Sequence, residues 1–177
     1  MRAWEQEFAE LFAPRFIDYA SADVQFSLEA PPPELVSRIH LVARTGEGSV
    51  IVCVNDLGWR FLPGGTREPG EELAAGLDRE IREEAGARRI GPWSVVGAFR
   101  AQIRAPEPYR PHMPHPVAYW AYAVADVLLD GLPTNPPDGE QVTEVLVLPP
   151  ADAADFLAVH DPIHADVVRL TAAMGLI

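Results

Sequence analysis

Residues 65–87 read GTREPGEELAAGLDREIREEAGA. A glycine-rich turn runs straight into a helix that gathers carboxylates, and the fold follows from it. Leu73, Leu77 and Ile81 recur at i, i+4 and i+8, which predicts a buried stripe on a helix from about Gly70-Glu71 to Ala85. Gly86 is the natural C-cap. Glu71 and Glu72 fall in the first turn, where acids complement the helix dipole. At 100° per residue, Glu80, Glu83 and Glu84 lie within one sector of roughly 100° beside the apolar stripe. Like charges three and four residues apart repel each other, so a purely solvated helix gains nothing from this grouping. A divalent metal would turn the repulsion into binding, and hard carboxylate oxygens suit Mg²⁺ or Mn²⁺ rather than zinc. Arg79 stands four residues before Glu83, and Asp78 four before Arg82, so ion pairs can orient part of the cluster. The turn Pro63-Gly64-Gly65 lets the backbone approach closely, and a main-chain carbonyl there can complete a metal shell. Metal-held diphosphate oxygens over this face would expose phosphorus to water.

Outward from the helix, the chain reads as strands. Residues 35–44 (LVSRIHLVAR) and 49–55 (SVIVCVN) are strand-like, with Thr45-Gly46-Glu47-Gly48 as a hairpin turn between them. Asp56-Leu57-Gly58 is a second turn, and WRFL a short strand up to Pro63. Two longer strands are expected at about 93–104 and 116–128, joined by the proline-rich loop APEPYRPHMPHP. A last strand at about 142–148 precedes a helical tail over 151–174, broken at Asp161-Pro162. A short helix is expected over 2–13, with Trp4, Phe8, Leu11 and Phe12 on one side, and an irregular connector over 14–33 ending in three prolines. Strands precede, flank and follow the main helix without regular alternation, so the expected class is α/β, a mixed α/β sandwich.

The 177 residues suit one domain, and the 48% apolar content excludes a disordered chain. No apolar run approaches the roughly 20 residues of a membrane helix. The start, MRAWEQEFAELF, has neither the basic nor the apolar region of a signal peptide. The formal net charge of −12 argues against a nucleic-acid polymer as partner. A small phosphorylated ligand remains compatible, because a bound cation supplies positive charge locally. The single cysteine, Cys53, sits in an apolar run and reads as a core residue, in keeping with a cytoplasmic setting.

The spacing resembles the signature of the Nudix hydrolases, Gx5Ex7REUxEExGU, where U is a bulky aliphatic residue. Gly65, Glu71, Arg79, Glu80, Ile81, Glu83, Glu84 and Gly86 match it, and Ala87 replaces the last bulky residue. The resemblance extends over about residues 35–150 and implies an α/β/α sandwich with a mixed β-sheet; the expected domain is 35–177 with a C-terminal helical tail, behind an N-terminal helix and connector over 1–34. It implies an enzyme dependent on Mg²⁺ or Mn²⁺ that cleaves the pyrophosphate bond of a nucleoside diphosphate linked to another group. By the same resemblance, Glu80, Glu83, Glu84 and the Gly64 carbonyl are metal ligands, and Arg79 orients them. Family members differ over the general base; Glu140, just before the last strand, sits where a later acid usually falls, with Glu144 as its neighbour.

Substrate choice is expected outside the signature. The 106–116 loop offers a ring in Tyr109, a guanidinium in Arg110 and an imidazole in His112. Arg60, beside Trp59, is a further candidate for phosphate contact. His160 and His164 straddle Pro162 and read as structural, and His40 reads as a satisfied core residue. Two other classes compete. One is a nucleotide-sensing module of the same fold that does not hydrolyse, which degenerate acids would favour. The other is an isoprenyl diphosphate isomerase, which would want a reactive cysteine that Cys53 does not resemble. No membrane partner is expected, and the N-terminal helix with Trp4 and Phe8 is compatible equally with a homodimer and with a cap on the core.

Overall fold

The computed structural model describes residues 3–136 and 139–177. Two short helical turns, α1 (Ala3–Glu7) and α2 (Ala9–Phe12), open the chain. Six strands follow: β1 (Arg15–Ile17), β2 (Ala22–Ser27), β3 (Val36–Arg44), β4 (Val50–Asn55), β5 (Arg60–Phe61) and β6 (Gly64–Thr66). Helix α3 (Leu73–Ala85) carries the acidic sequence and leads into β7 (Ala87–Ile103), β8 (Val117–Leu129) and β9 (Val142–Leu148). Helices α4 (Pro150–Ala158) and α5 (Pro162–Ala173) follow. The described strands form one mixed sheet, ordered β1-β2-β7-β8-β3-β4-β5, with β6 on β3 and β9 on β4. The β3–β8 pair is parallel and its neighbours are antiparallel.

The sheet is covered on both faces, which makes the α/β/α sandwich. Alternation along each strand sends one set of side chains to α3 and the other to α2, α4 and α5. On the α3 side, Leu77, Ile81 and Ala85 pack with Ile39, Leu41, Ile51, Cys53, Ala98 and Ala121. On the opposite side, Leu157, Val167, Val168 and Leu170 pack with Val42, Val50, Val52, Phe99 and Tyr122. The α3 stripe is the one the i, i+4, i+8 spacing specifies. Gly86 closes α3 in the left-handed region at φ 60°, with its N–H on the Ile81 and Arg82 carbonyls.

Four sequence expectations shift. Residues 14–33 are not merely irregular: β1 and β2 lie there, and β2 pairs along β7 from Ala22↔Ile103 to Ser27↔Ala98. Their alternating pattern is short and interrupted by the turn at 18–20, which hid it. Helix α3 starts at Leu73, two residues later than expected, because Glu71 turns out of the helix to meet Arg79. Strand β7 begins at Ala87 and tolerates Gly91-Pro92 at a register irregularity between Arg89 and Trp93. Strand β6 is Gly-Gly-Thr, which has no strand propensity, and pairing with Arg38, Ile39 and His40 of β3 creates it.

A second irregularity sets up the site. Between Val36 and Arg38 the β3–β8 register slips by one residue. Val36 and Ile39, three apart, therefore both reach the α3-side core, while Arg38 and His40 point to the other face beside Trp120 and Tyr122. A bulge re-aims side chains in this way. The break before α5 is built by Asp161, whose carboxylate accepts the His164 N–H at 3.0 Å, with Pro162 in the first turn.

The α3 stripe holds the acidic helix against the sheet. Leu77→Ala should lower unfolding free energy by about 2–5 kcal/mol, measured by urea denaturation. A loss below 1 kcal/mol would mean that α3 is anchored by its polar contacts alone.

Candidate active site

Arg79 is the hub of the acidic helix. Its Nε donates to Glu71 Oε1 at 2.9 Å and its Nη2 to Glu71 Oε2 at 3.1 Å, a side-on fork. Nη1 reaches Glu80 Oε1 at 3.0 Å and Glu83 Oε2 at 3.2 Å, and Nη2 also meets the Thr66 carbonyl at 3.2 Å. Glu71 additionally accepts the Glu68 N–H at 2.9 Å. The Arg79 hydrogen bonds are the main reason that the Glu71 carboxyl lies below its ordinary range. Two glycines make room for these acids. A Cβ on Gly65 would stand 2.5 Å from Glu80 Oε1, and one on Gly76 would stand 2.8 Å from Glu71 Oε2.

Glu84 is placed differently. Its Oε2 accepts the Gly64 N–H at 2.8 Å, which ties the helix to the turn. Burial pushes its carboxyl well above the usual value, and the charges of Glu80, Glu140 and Glu83 push the same way against the Gly64 hydrogen bond. Glu80 is also raised: burial outweighs the lowering influence of Arg79, even though the two are paired. Gly64 itself has φ 148°, and any side chain there would collide with the Ile39 carbonyl and His40 backbone. Glu140 is held by Asn55, whose Nδ2 donates to its Oε2 at 2.9 Å. Asn55 Oδ1 in turn accepts the Leu57 and Trp59 N–H groups at 3.1 and 2.9 Å, so one buried amide shapes the turn and aims the acid.

Glu80, Glu83, Glu84, Glu140 and Arg79 all line one cavity of about 880 Å³. Its floor is the β3–β8–β7 face bearing Arg38, His40, Trp120, Tyr122 and Phe99, and its far walls include Arg15, Trp59, His160 and His164. Among the described residues, no group of three or more His, Cys, Asp or Glu side chains is arranged to hold a metal ion as it stands. Arg79 draws Glu80 and Glu83 to itself, and Gly64 draws Glu84. The donor chemistry nevertheless fits a hard divalent cation. Buried carboxylates that raise one another are relieved by a cation, and Glu80, Glu83, Glu84 and Gly64 all line the same cavity.

The specificity candidates separate. Arg110 lines the main cavity. Tyr109 lines an adjoining cavity of about 470 Å³, which shares Tyr19, Arg38, Thr66 and Trp120 with the first. His112 bonds the Arg67 carbonyl at 3.0 Å and anchors the loop. Arg60 does not line either cavity, which corrects its expected place at the substrate. Phe61 faces α3, so alternation sends Arg60 to α4, where it lies 4.0 Å from the Phe156 ring and donates to the Phe156 carbonyl at 3.2 Å. His40 is not a satisfied core residue either: it lines the cavity, stacked on Tyr122 with centroids 5.7 Å apart. His160 stacks on Trp59 at 5.2 Å, and His164 accepts the Leu62 N–H on Nδ1 at 3.1 Å while also lining the cavity. Arg15, Arg38, Trp120, Tyr122 and Asn55 escaped the sequence reading. The period-two pairs Arg38/His40 and Trp120/Tyr122, polar-ended residues in apolar strands, were the available signal.

A family model, the NUDIX domain, matches residues 35–171. The chain belongs to that family, and it is an enzyme of the Nudix hydrolase class. Solved structures agree on the fold. The Bacillus subtilis pyrophosphohydrolase BsRppH (E68A mutant) is 18% identical with a TM-score of 0.64, covering 93% of this chain and 99% of that one. A NUDIX hydrolase from Nitrosomonas europaea is 14% identical with a TM-score of 0.58, covering 78% and 90%. The MutT protein from Methanosarcina mazei is 17% identical with a TM-score of 0.54, covering 84% and 99%. No curated protein matches the chain in sequence. Enzymes of this family generally use divalent metals. Among the described residues, no helix is long and apolar enough to cross a membrane.

Burial holds His164 below the ordinary imidazole value, against the raising influence of Asp161. Its Nδ1 lies 3.5 Å from Asp161 but accepts from Leu62, so the neutral ring is the one the fold selects. The unfolded chain therefore binds a proton near about pH 6.5 that the folded chain refuses, and stability falls as pH drops through that value. Glu80 and Glu84 act oppositely, losing stability as pH rises above about 4.5. His164→Gln should thus flatten the decline between pH 7.5 and 5.5, relative to the wild type, by up to about 1.4 kcal/mol per pH unit. Equal slopes in urea titrations of both proteins would refute the neutral buried ring.

Proposed function

We propose that the chain is an Mg²⁺- or Mn²⁺-dependent pyrophosphohydrolase acting on a small nucleotide-type molecule, a nucleoside diphosphate linked to another group. One observation carries this reading: three helix carboxylates and Glu140 face a single cavity whose other walls hold arginines and aromatic rings. Acids at one side suit a metal-bound phosphate, and rings and guanidinium groups suit the remainder of a nucleotide.

In this reading Glu80, Glu83, Glu84 and the Gly64 carbonyl hold the ion. When bound there, the ion neutralises phosphate oxygens and makes its water a stronger acid. Arg79 fixes Glu71 permanently and releases Glu80 and Glu83 to the site as they rotate. Glu84 stays on the Gly64 N–H, so the turn and the helix move as one body. Glu140, oriented by Asn55 and reaching the cavity from the segment before β9 rather than from α3, is the proposed acceptor of a proton from the attacking water. Glu144, on the exposed side of β9, does not line the cavity. Trp59 with His160, and Arg110 from the 106–116 loop, are the proposed contacts for base and phosphate.

Phosphate release from a panel of nucleotides with Mg²⁺, with products identified by mass, tests the reading. Glu83→Gln and Glu140→Gln should each lower kcat by about 10²–10⁴-fold, and equal turnover by wild type and Glu83→Gln would sink it. Glu84→Gln gives a check independent of activity. A neutral amide removes the buried charge and keeps an acceptor for Gly64. Without metal the variant should therefore melt at or above the wild type, while the rise in Tm on adding Mg²⁺ should vanish.

A further inference from the structure

On the cavity floor, Arg38 is half-buried and has no hydrogen-bond acceptor among the described residues. Its guanidinium lies 5.8 Å from the Trp120 ring and lines both the main cavity and its neighbour. Acceptors are not scarce in a chain with 26 Asp and Glu against 14 arginines and no lysine. The other half-buried arginines have found theirs: Arg67 takes the Pro33, Val36 and Glu71 carbonyls, and Arg79 and Arg89 take carboxylates. Among the described residues, no acid forms an ion pair with Arg38 on the floor.

Arg15 stands across the same cavity. Its guanidinium is 5.9 Å from the Phe99 ring, and one nitrogen is tied to the Glu10 carbonyl, with no carboxylate partner. Tyr122 lines the same cavity on β8, its hydroxyl without a hydrogen-bond partner among the described residues and under the influence of Asp161 as well as of Arg38 and Arg15. The sheet sets the order. From the Gly64–Thr66 turn on β6, one meets Arg38 on β3, Tyr122 on β8, Phe99 on β7 and then Arg15 on β1. Positive charge thus continues from the carboxylate side across the floor.

We infer that Arg38, Arg15 and the Tyr122 hydroxyl form a phosphate clamp, so that the substrate carries at least one phosphate beyond the anhydride that is cut. This rests on the pyrophosphohydrolase reading and narrows it. The substrate class is a nucleoside bearing a chain of three or more phosphates, rather than a nucleoside diphosphate joined to an uncharged sugar. Guanidinium forks and a phenol match phosphate oxygens, whereas a sugar would leave two cations without counter-charge.

The test compares a nucleoside triphosphate, a dinucleoside tetraphosphate and a nucleoside diphosphate hexose in the wild type, Arg38→Gln and Arg15→Gln. Each variant should lose about tenfold or more in kcat/KM on both polyphosphates and less than about threefold on the hexose conjugate. Arg38→Lys should recover part of the Arg38→Gln loss. The ratio of triphosphate to tetraphosphate turnover tells which polyphosphate the clamp serves. Inorganic tripolyphosphate, titrated at low salt and followed by tryptophan emission, reads the clamp even if no nucleotide is turned over. Binding weakened in both variants, with Tm unchanged, supports the clamp. No binding to the wild type, or losses equal on all three substrates, overturns it.

Discussion

The side-on fork between Arg79 and Glu71 is the interaction on which the site depends. It pulls Glu71 out of the first turn of α3, so the helix begins at Leu73. The same guanidinium reaches Glu80, Glu83 and the Thr66 carbonyl, and one side chain thereby joins the loop, the helix and β6. Replacing it with lysine would keep the charge and lose the fork, because an ammonium cannot present parallel donors to one carboxylate. Two glycines follow from it. Gly65 leaves space for Glu80 and Gly76 for Glu71, and both spaces lie where the arginine holds those acids.

This explains what the sequence disclosed. The spacing from Gly65 to Gly86 records a closed set of contacts, so the helix, its cap and the converging acids were legible from residue types alone. The strands of 36–55 and 142–148 were legible because they are apolar or alternating and bounded by turns. What stayed hidden has a common cause, namely that it was set by partners distant in sequence. β6 has no propensity of its own and exists because β3 lies beside it. β1 and β2 show only a short, interrupted alternation and are strands because β2 pairs along β7 and β1 along β2. Arg60 was placed at the substrate because it precedes the glycine turn, yet alternation aims it at Phe156. The cavity floor depends on a one-residue slip near Ser37, which no period reveals, and the slip exchanges the faces of everything after it.

In the proposed reading, the arrangement also answers how a chain of net charge −12 would receive a polyanion. The charges are sorted by face. Acids of α3 enter the cavity around the short strand β6, while the floor behind them takes arginines from β1 and β3, which form no ion pair with those acids. Where acids and arginine do meet, at Arg79, the pairs are satisfied within the protein and offer little attraction to a ligand. Where they do not meet, at Glu84 on one side and Arg38 on the other, each is left under tension: the carboxylate repelled by its neighbours, the guanidinium short of acceptors. A cation relieves the first and a phosphate the second. A metal-bound phosphate chain that reached both would relieve the two together. In the proposed clamp, selectivity for a charged chain over a neutral one would come from the separation of unlike charges across the sheet, which a compact ion-paired site could not supply.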